Sequence, residues 1–194
     1  AQSYADAGAK WLHLVDLDGA KNPENRQLSL VGKIIKNTGL NVQTGGGIRS
    51  FDDVKNLIAA GASRVVIGSL GVRDIKTTKR IFDAFGPEKI CLAADVIWQK
   101  DRFHIAVSGW QEASSLGLFT FIETYLESGL RHTLCTDIDR DGTGVGPNVA
   151  ATARLQSQVK ATVIASGGIG TLAHLAQLRE AGVRAAVCGR ALYT

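Results

Sequence analysis

Acidic side chains in this 194-residue chain gather at the ends of short apolar runs, where carboxylates can do proton chemistry. Asp95 closes "ICLAAD", Asp137 and Asp139 close "HTLCTDID", Asp141 opens the loop "RDGTG", and Asp16 and Asp18 close "WLHLVDLD". Carboxylates on opposite sides of a substrate can divide the work, one taking a proton from carbon and the other giving one to oxygen. Glycine pairs stand beside them: Gly46 and Gly47, followed by Gly68 and Ser69, then Gly167 and Gly168, followed by Gly189 and Arg190. Glycine lets backbone N–H groups approach a phosphate closely, and a helix that starts there adds the positive end of its dipole. The chemistry indicated is acid/base catalysis on a small phosphorylated molecule.

The candidates divide by position. Asp16 and Asp137 recur in one register of an internal repeat and read as caps of the loops that follow them. Asp95 and Asp141 read as reactive, one ending an apolar strand and the other sitting in a glycine loop. Thr136 could hydrogen-bond a substrate hydroxyl, although threonine is also a good strand former. Arg49 and Gly142, next to the glycine turns and to Asp141, join the phosphate-binding set. In the polar segment "QKDRFHIAVSGWQEASS" (99–115), expected to be a long loop that closes over substrate, Trp110 either stacks on a heterocyclic base or anchors the loop. His104 reads as a surface or packing residue. No cysteine spacing suggests zinc, and Cys91, Cys135 and Cys188 read as reduced core thiols.

What positions these residues is a repeat. An offset of 121 residues pairs Gly46 with Gly167, Ile48 with Ile169, Leu57 with Leu178, Gly61 with Gly182, Asp16 with Asp137 and Tyr4 with Tyr125. Residues 1–70 are echoed by 122–191 without net insertion, a duplicated half-domain and not a solenoid. Strands are expected at 11–17, 41–45, 64–69, 90–96, 132–138, 161–166 and 185–190, as near-continuous apolar runs of the buried parallel kind. Between them lie amphipathic helices, with Ser50 and Thr171 as N-caps and Gly61 and Gly182 as left-handed residues at helix ends. Strand–helix alternation means an α/β fold with a parallel sheet. A tandem (βα)4 unit closes naturally into a TIM (β/α)8 barrel built from two half-barrels, whereas a doubly wound open sheet would join the halves at unlike edges. Residues 71–121 have no echo, so the chain (1–194) reads as a single, incomplete barrel domain missing the first strand and the final helix.

Composition sets the remaining bounds. With 45% apolar and 21% charged residues the chain can build an ordinary globular core. A formal net charge of +4, scattered and not interleaved with aromatics, favours a small anion over nucleic acid. No apolar run is long enough for a membrane helix and no leader is evident, so the expected location is the cytoplasm.

The segments "HLVDLDGA", "QTGGGIRS", "DVIWQKDRFHIAVSGWQE", "CTDIDRDGTGVGPN" and "ASGGIG…VCGRAL" together resemble the isomerase branch of the HisA/HisF family of histidine biosynthesis, over residues 1–194. The resemblance implies an Amadori rearrangement of the aminoaldose ProFAR to the aminoketose PRFAR. The implied substrate carries two phosphates, and the implied enzyme has no cofactor and no metal and is a monomer when complete. It further implies Asp95 and Asp141 as catalytic carboxylates and Thr136 as a supporting hydroxyl. Phosphate contacts would come from Gly46, Gly47, Ser69, Gly167, Gly168, Gly189 and Arg190, with Trp110 over the aminoimidazole. One further essential aspartate of the family ends the first strand, at a repeat position 26 residues before Ala1, so the 194 residues alone are expected to be nearly inactive. Alternatives are a HisF-like cyclase, which works with a glutaminase, and a non-catalytic phosphosugar-binding module.

Overall fold

The computed structural model describes residues 1–99, 102–107 and 112–193. The chain divides into two compact units, Ala1–Cys91 and Leu92–Thr194.

Unit 1 runs α1 (Gln2–Asp6), β1 (Trp11–Val15), α2 (Leu17–Lys21), α3 (Leu28–Thr38), β2 (Asn41–Gly45), α4 (Phe51–Ala59), β3 (Arg64–Ile67), α5 (Ser69–Arg73) and α6 (Ile75–Phe85). The three strands pair in parallel, from Trp11↔Asn41 to Val15↔Gly45 and from Gln43↔Arg64 to Gly45↔Val66. Helix α4 shows how the sequence builds these layers. Ser50 accepts a hydrogen bond from the Asp53 N–H while Asp53 accepts from the Ser50 N–H, closing a capping box. Val54 and Leu57 then turn one face inward, and Gly61, at φ 100°, takes the left-handed position just past the helix end. Val42, Val65, Ile67, Ile81 and Phe82 complete the core of this unit, each fully buried side chain contributing about 1.5–3 kcal/mol. At the β1 edge, the half-exposed Trp11 ring is covered by the Arg64 guanidinium, 4.6 Å from its centroid.

Unit 2 contains most of β4 (Ile90–Gln99), then β5 (Arg102–Val107), β6 (Glu112–Gly117), α7 (Leu118–Glu123), β7 (His132–Asp137), α8 (Val149–Gln158), β8 (Thr162–Ser166), α9 (Leu172–Glu180) and β9 (Ala185–Ala186). Strands β4, β7, β8 and β9 pair in parallel in that order. Buried Gln156 ties α8 to the sheet, donating to the Ala161 carbonyl at 3.0 Å and accepting from Val163 N at 3.0 Å. Ala165, Ile169, Leu178 and Val183 form the core under α9, and Thr171 caps that helix by accepting from His174 N.

The α/β architecture is the one expected: parallel strands alternating with crossover helices in the manner of a TIM (β/α)8 barrel. Several strand boundaries differ. Expected strands 11–17 and 64–69 stop at Val15 and Ile67, because Asp16 and Gly68 already cap α2 and α5. The expected strand 185–190 shrinks to Ala185–Ala186, paired only with β8 among the described residues. The 99–115 segment, expected to be a long loop, carries β5 and β6 in its described parts. β4 does not end at Asp95 but runs on to Gln99, where β5 folds back antiparallel through Trp98↔Phe103 and Val96↔Ile105. Phe103, Ile105 and Val107 alternate along β5, a period of two that identifies a strand even in a polar setting. No helix among the described residues is long and apolar enough to cross a membrane.

Candidate active site

Both units build the same glycine corner. In unit 1 Gly46 and Gly47 follow β2 with φ of 107° and 67°; in unit 2 Gly167 and Gly168 follow β8 with φ of 91° and 81°. These angles are open to glycine and strained for any other residue. Space forbids a side chain as well: a Cβ on Gly46 would strike the Asp16 carbonyl, and one on Gly167 would lie 2.6 Å from the carbonyl oxygen of Asp137, its repeat partner. Gly47 packs on the Gly19 carbonyl and Gly168 on the Gly146 carbonyl. One βα unit later, Gly68 leads into α5 at Ser69 and Gly189 leads into a 3-10 turn at Arg190.

Side chains then fix each corner. In unit 1 Arg26 donates to the Gly46 and Gly47 carbonyls at 3.1 and 2.6 Å. Arg49, exposed, donates to the Ala20 carbonyl at 3.2 Å. In unit 2 Arg140 donates to the Gly146 carbonyl at 3.1 Å, and Gly146 N donates to the Gly168 carbonyl at 2.8 Å. Arg190 donates to the Gly142 carbonyl at 2.6 Å, joining the turn after β9 to the loop that carries Asp141. The unit 2 pieces surround a cavity of about 410 Å³, lined among others by Asp141, Gly142, Ser166, Gly167, Gly168, Gly189 and Arg190. Of the sequence-expected residues, Asp141, Gly142, Gly167, Gly168, Gly189 and Arg190 line this cavity; Asp95, Thr136 and the unit 1 residues are not part of its wall.

Asp95 and Thr136 are placed by strand register. Asp95 pairs with Thr136 across β4 and β7, and Thr136 pairs with Ser166 across β7 and β8. Residues paired in a parallel ladder present their side chains to one face of the sheet, so carboxylate, hydroxyl and hydroxyl form a polar row ending at the cavity, where Ser166 is part of the wall. Asp95 is half-buried and Thr136 is buried. The negative charge in this region registers on Cys135: burial first, then Asp95 and Asp137, push its thiol up to about 12. Cys91 and Cys135 are buried in the core, as expected, whereas Cys188 is only half-buried.

The aspartates read as structural behave as such, with one asymmetry. Asp16 Oδ1 accepts from Gly19 N at 2.9 Å and Oδ2 from Gln27 N at 2.8 Å, which satisfies both oxygens. Asp137 Oδ2 accepts from Asn148 Nδ2 at 2.8 Å and lies 3.6 Å from Arg140 Nε, while its buried Oδ1 has no hydrogen-bond partner among the described residues. Asp18 accepts from Gln27 Nε2 at 3.0 Å. Asp139 sits exposed in the turn beyond β7. His104 is half-buried on β5. Trp110 lies outside the described residues.

Sequence reasoning passed over Ser166, taken only as a strand end, and the arginines Arg26 and Arg140 that hold the corners. The repeat carried the first signal: Ser166 stands where unit 1 has Gly45, so a hydroxyl enters at a position otherwise served without a side chain.

The whole chain, residues 1–194, matches the model of the family described as "Histidine biosynthesis protein". A protein of Actinobacillus succinogenes is 50% identical over 98% of this chain and 78% of its own length. One of Photobacterium profundum is 47% identical over 97% of this chain and 78% of its own. One of Francisella philomiragia is 44% identical over the full chain and 80% of its own. Each of the three is named 1-(5-phosphoribosyl)-5-((5-phosphoribosylamino)methylideneamino) imidazole-4-carboxamide isomerase. With the corners, the polar row and a match along its whole length, the chain belongs to the histidine biosynthesis protein family.

Proposed function

We propose that this protein is an aldose–ketose isomerase of histidine biosynthesis that converts ProFAR to PRFAR by general acid/base catalysis. The observation that carries the reading is the row Asp95–Thr136–Ser166, set by register at the edge of a cavity that also holds Asp141 and the Gly167–Gly168 corner.

The relatives' name describes a molecule with two phosphoribosyl groups, and the chain carries two glycine corners of one construction. Each corner has backbone N–H groups at positive-φ glycines and a basic neighbour with which to receive a phosphate. An Amadori rearrangement needs a proton delivered to the ring oxygen of the aminoaldose, which opens the sugar to an imine. It then needs a proton removed from the adjacent carbon, giving an enolamine that tautomerises to the aminoketone. Asp95 and Asp141 supply carboxylates for proton transfer, and Thr136 and Ser166 supply hydroxyls that orient the opened sugar. The phosphate set comprises Gly46, Gly47, Arg49, Gly68 and Ser69 in unit 1, and Gly142, Gly167, Gly168, Gly189 and Arg190 in unit 2. No cofactor is required by this proton chemistry. The enzyme acts as a monomer in the cytoplasm, where phosphorylated intermediates are retained, and has no nucleic-acid partner.

The test is direct: the purified full-length protein is mixed with ProFAR and the products are resolved by chromatography. Formation of PRFAR supports the reading. Binding of ProFAR without conversion would leave a phosphosugar-binding module and overturn it.

A further inference from the structure

The two corners share a backbone but differ in one coupled pair of side chains. In unit 1, Asp53 Oδ2 accepts from the N–H groups of Arg49 and Ser50 at 2.9 and 3.0 Å, and Arg26 neutralises its other oxygen at 3.4 Å. The repeat positions of Arg49, Asp53 and Arg26 in unit 2 are Gly170, His174 and Pro147. Carboxylate and arginine have been exchanged together. His174 keeps the carboxylate's backbone contact, its Nδ1 accepting from Gly170 N at 3.1 Å. Its ring also packs on the loop that follows Asp141, with Nε2 only 3.3 Å from where a Gly146 Cβ would stand, while a Cβ on Gly170 would lie 2.7 Å from the Gly144 carbonyl oxygen. Arg140 cannot take over the role of Arg26, since it is engaged by the Gly146 carbonyl and by Asp137. A carboxylate at 174 would therefore place an unneutralised charge beneath a turn built to receive an anion. An imidazole accepts the same N–H without that charge.

We propose that His174 is a positioning residue for the substrate phosphate at the unit 2 corner: it locks the 167–170 turn to the loop bearing Asp141 while keeping the turn free of negative charge. The role in catalysis rests on the isomerase reading, but the phosphate-binding part does not need the chemistry.

The test titrates inorganic phosphate into the full-length protein, following the amide resonances of Gly167, Gly168 and Gly170, alongside isomerase kinetics. In His174→Asn the amide oxygen still accepts from Gly170 N, and phosphate Kd and substrate KM are expected to stay within about threefold of wild type. His174→Asp keeps an acceptor but adds the charge, and is expected to raise both by about tenfold with kcat changed less than about threefold. His174→Ala loses the acceptor and raises both by about fivefold. Wild-type phosphate shifts at these glycines without ProFAR turnover would remove the isomerase reading and leave this site standing. The inference is overturned by absence of those shifts in the wild type, by an Asp variant that binds phosphate as tightly as wild type, or by an Asn variant as weak as Ala.

Discussion

The turn after β2 in unit 1 and the turn after β8 in unit 2 agree down to the carbonyl on which their first glycine packs, Asp16 in one and Asp137 in the other. The rows of side chains beside them do not agree. Unit 2 sets Asp95, Thr136 and Ser166 in register, whereas the corresponding positions in unit 1, beside β1 and β2, are Val15 and Gly45. Duplication preserved what the backbone demands, glycine at positive φ and no room for Cβ, and let the side chains beside the corners diverge. The capping aspartates show the same drift. Asp16 has both oxygens bonded, but among the described residues Asp137 keeps one buried oxygen without a hydrogen-bond partner.

If the corners are backbone-determined, breaking either should do equal damage. Gly47→Ala and Gly168→Ala each combine a positive φ with a carbonyl in the path of the new Cβ, and each should lower stability by about 3 kcal/mol in denaturant unfolding. Gly8→Ala, at φ 89° with nothing within 4 Å of the added carbon, should cost only about 1 kcal/mol. If all three behave alike, close packing is not what holds the corners. The functional side of the comparison is tested next. Thr136→Val should lower kcat/KM about tenfold, the worth of one hydrogen bond to substrate, while Val15→Thr should leave steady-state kinetics unaltered. A smaller effect is expected at the unit 1 cap: Asp53→Ala removes the capping box and the Arg26 ion pair and should cost about 1–2 kcal/mol, read as a lower denaturation midpoint.

The smallest effect concerns pH and lies in unit 1. Arg64 Nη1 donates to Gln43 Oε1 at 2.9 Å, so the amide nitrogen of Gln43 faces His13, and Nδ1 of His13, 3.1 Å away, must accept. That ring is neutral, and burial holds its pKa below the ordinary 6.5. In the unfolded chain it takes up a proton near 6.5, so the contribution is intact above that pH and is lost as pH falls through the lower folded value. A thermal melt should show a lower midpoint at pH 5 than at pH 7, and His13→Gln should flatten that difference. An unchanged slope in the variant would place the acid sensitivity elsewhere.

Much of this was legible in the residues because the repeat reads itself. Gly46/Gly167, Gly61/Gly182, Ser50/Thr171 and Asp16/Asp137 align at one offset, and each pair turned out to serve one backbone need, a corner, a helix end or a cap. The hairpin of β5 and β6 was hidden because the surrounding Gln99, Lys100 and Asp101 read as a loop, although the alternation from Phe103 to Val107 was present. Strand ends were misjudged by up to four residues where a cap takes over from an apolar run, as at Asp16 and Gly189. Ser166 and His174 escaped notice for a different reason. Each breaks the repeat, at Gly45 and Asp53 respectively, and a departure from register carries meaning only once the geometry shows which backbone N–H or strand partner it serves.

The claim that proton chemistry resides in the unit 2 row is tested most directly by Asp95→Asn in the full-length protein, with ProFAR binding and turnover measured on the same sample. The substitution keeps shape and removes the titratable group. We expect kcat to fall by about 10²–10⁴-fold while substrate Kd stays within a few-fold. A variant that turned over within about threefold of wild type would contradict the account.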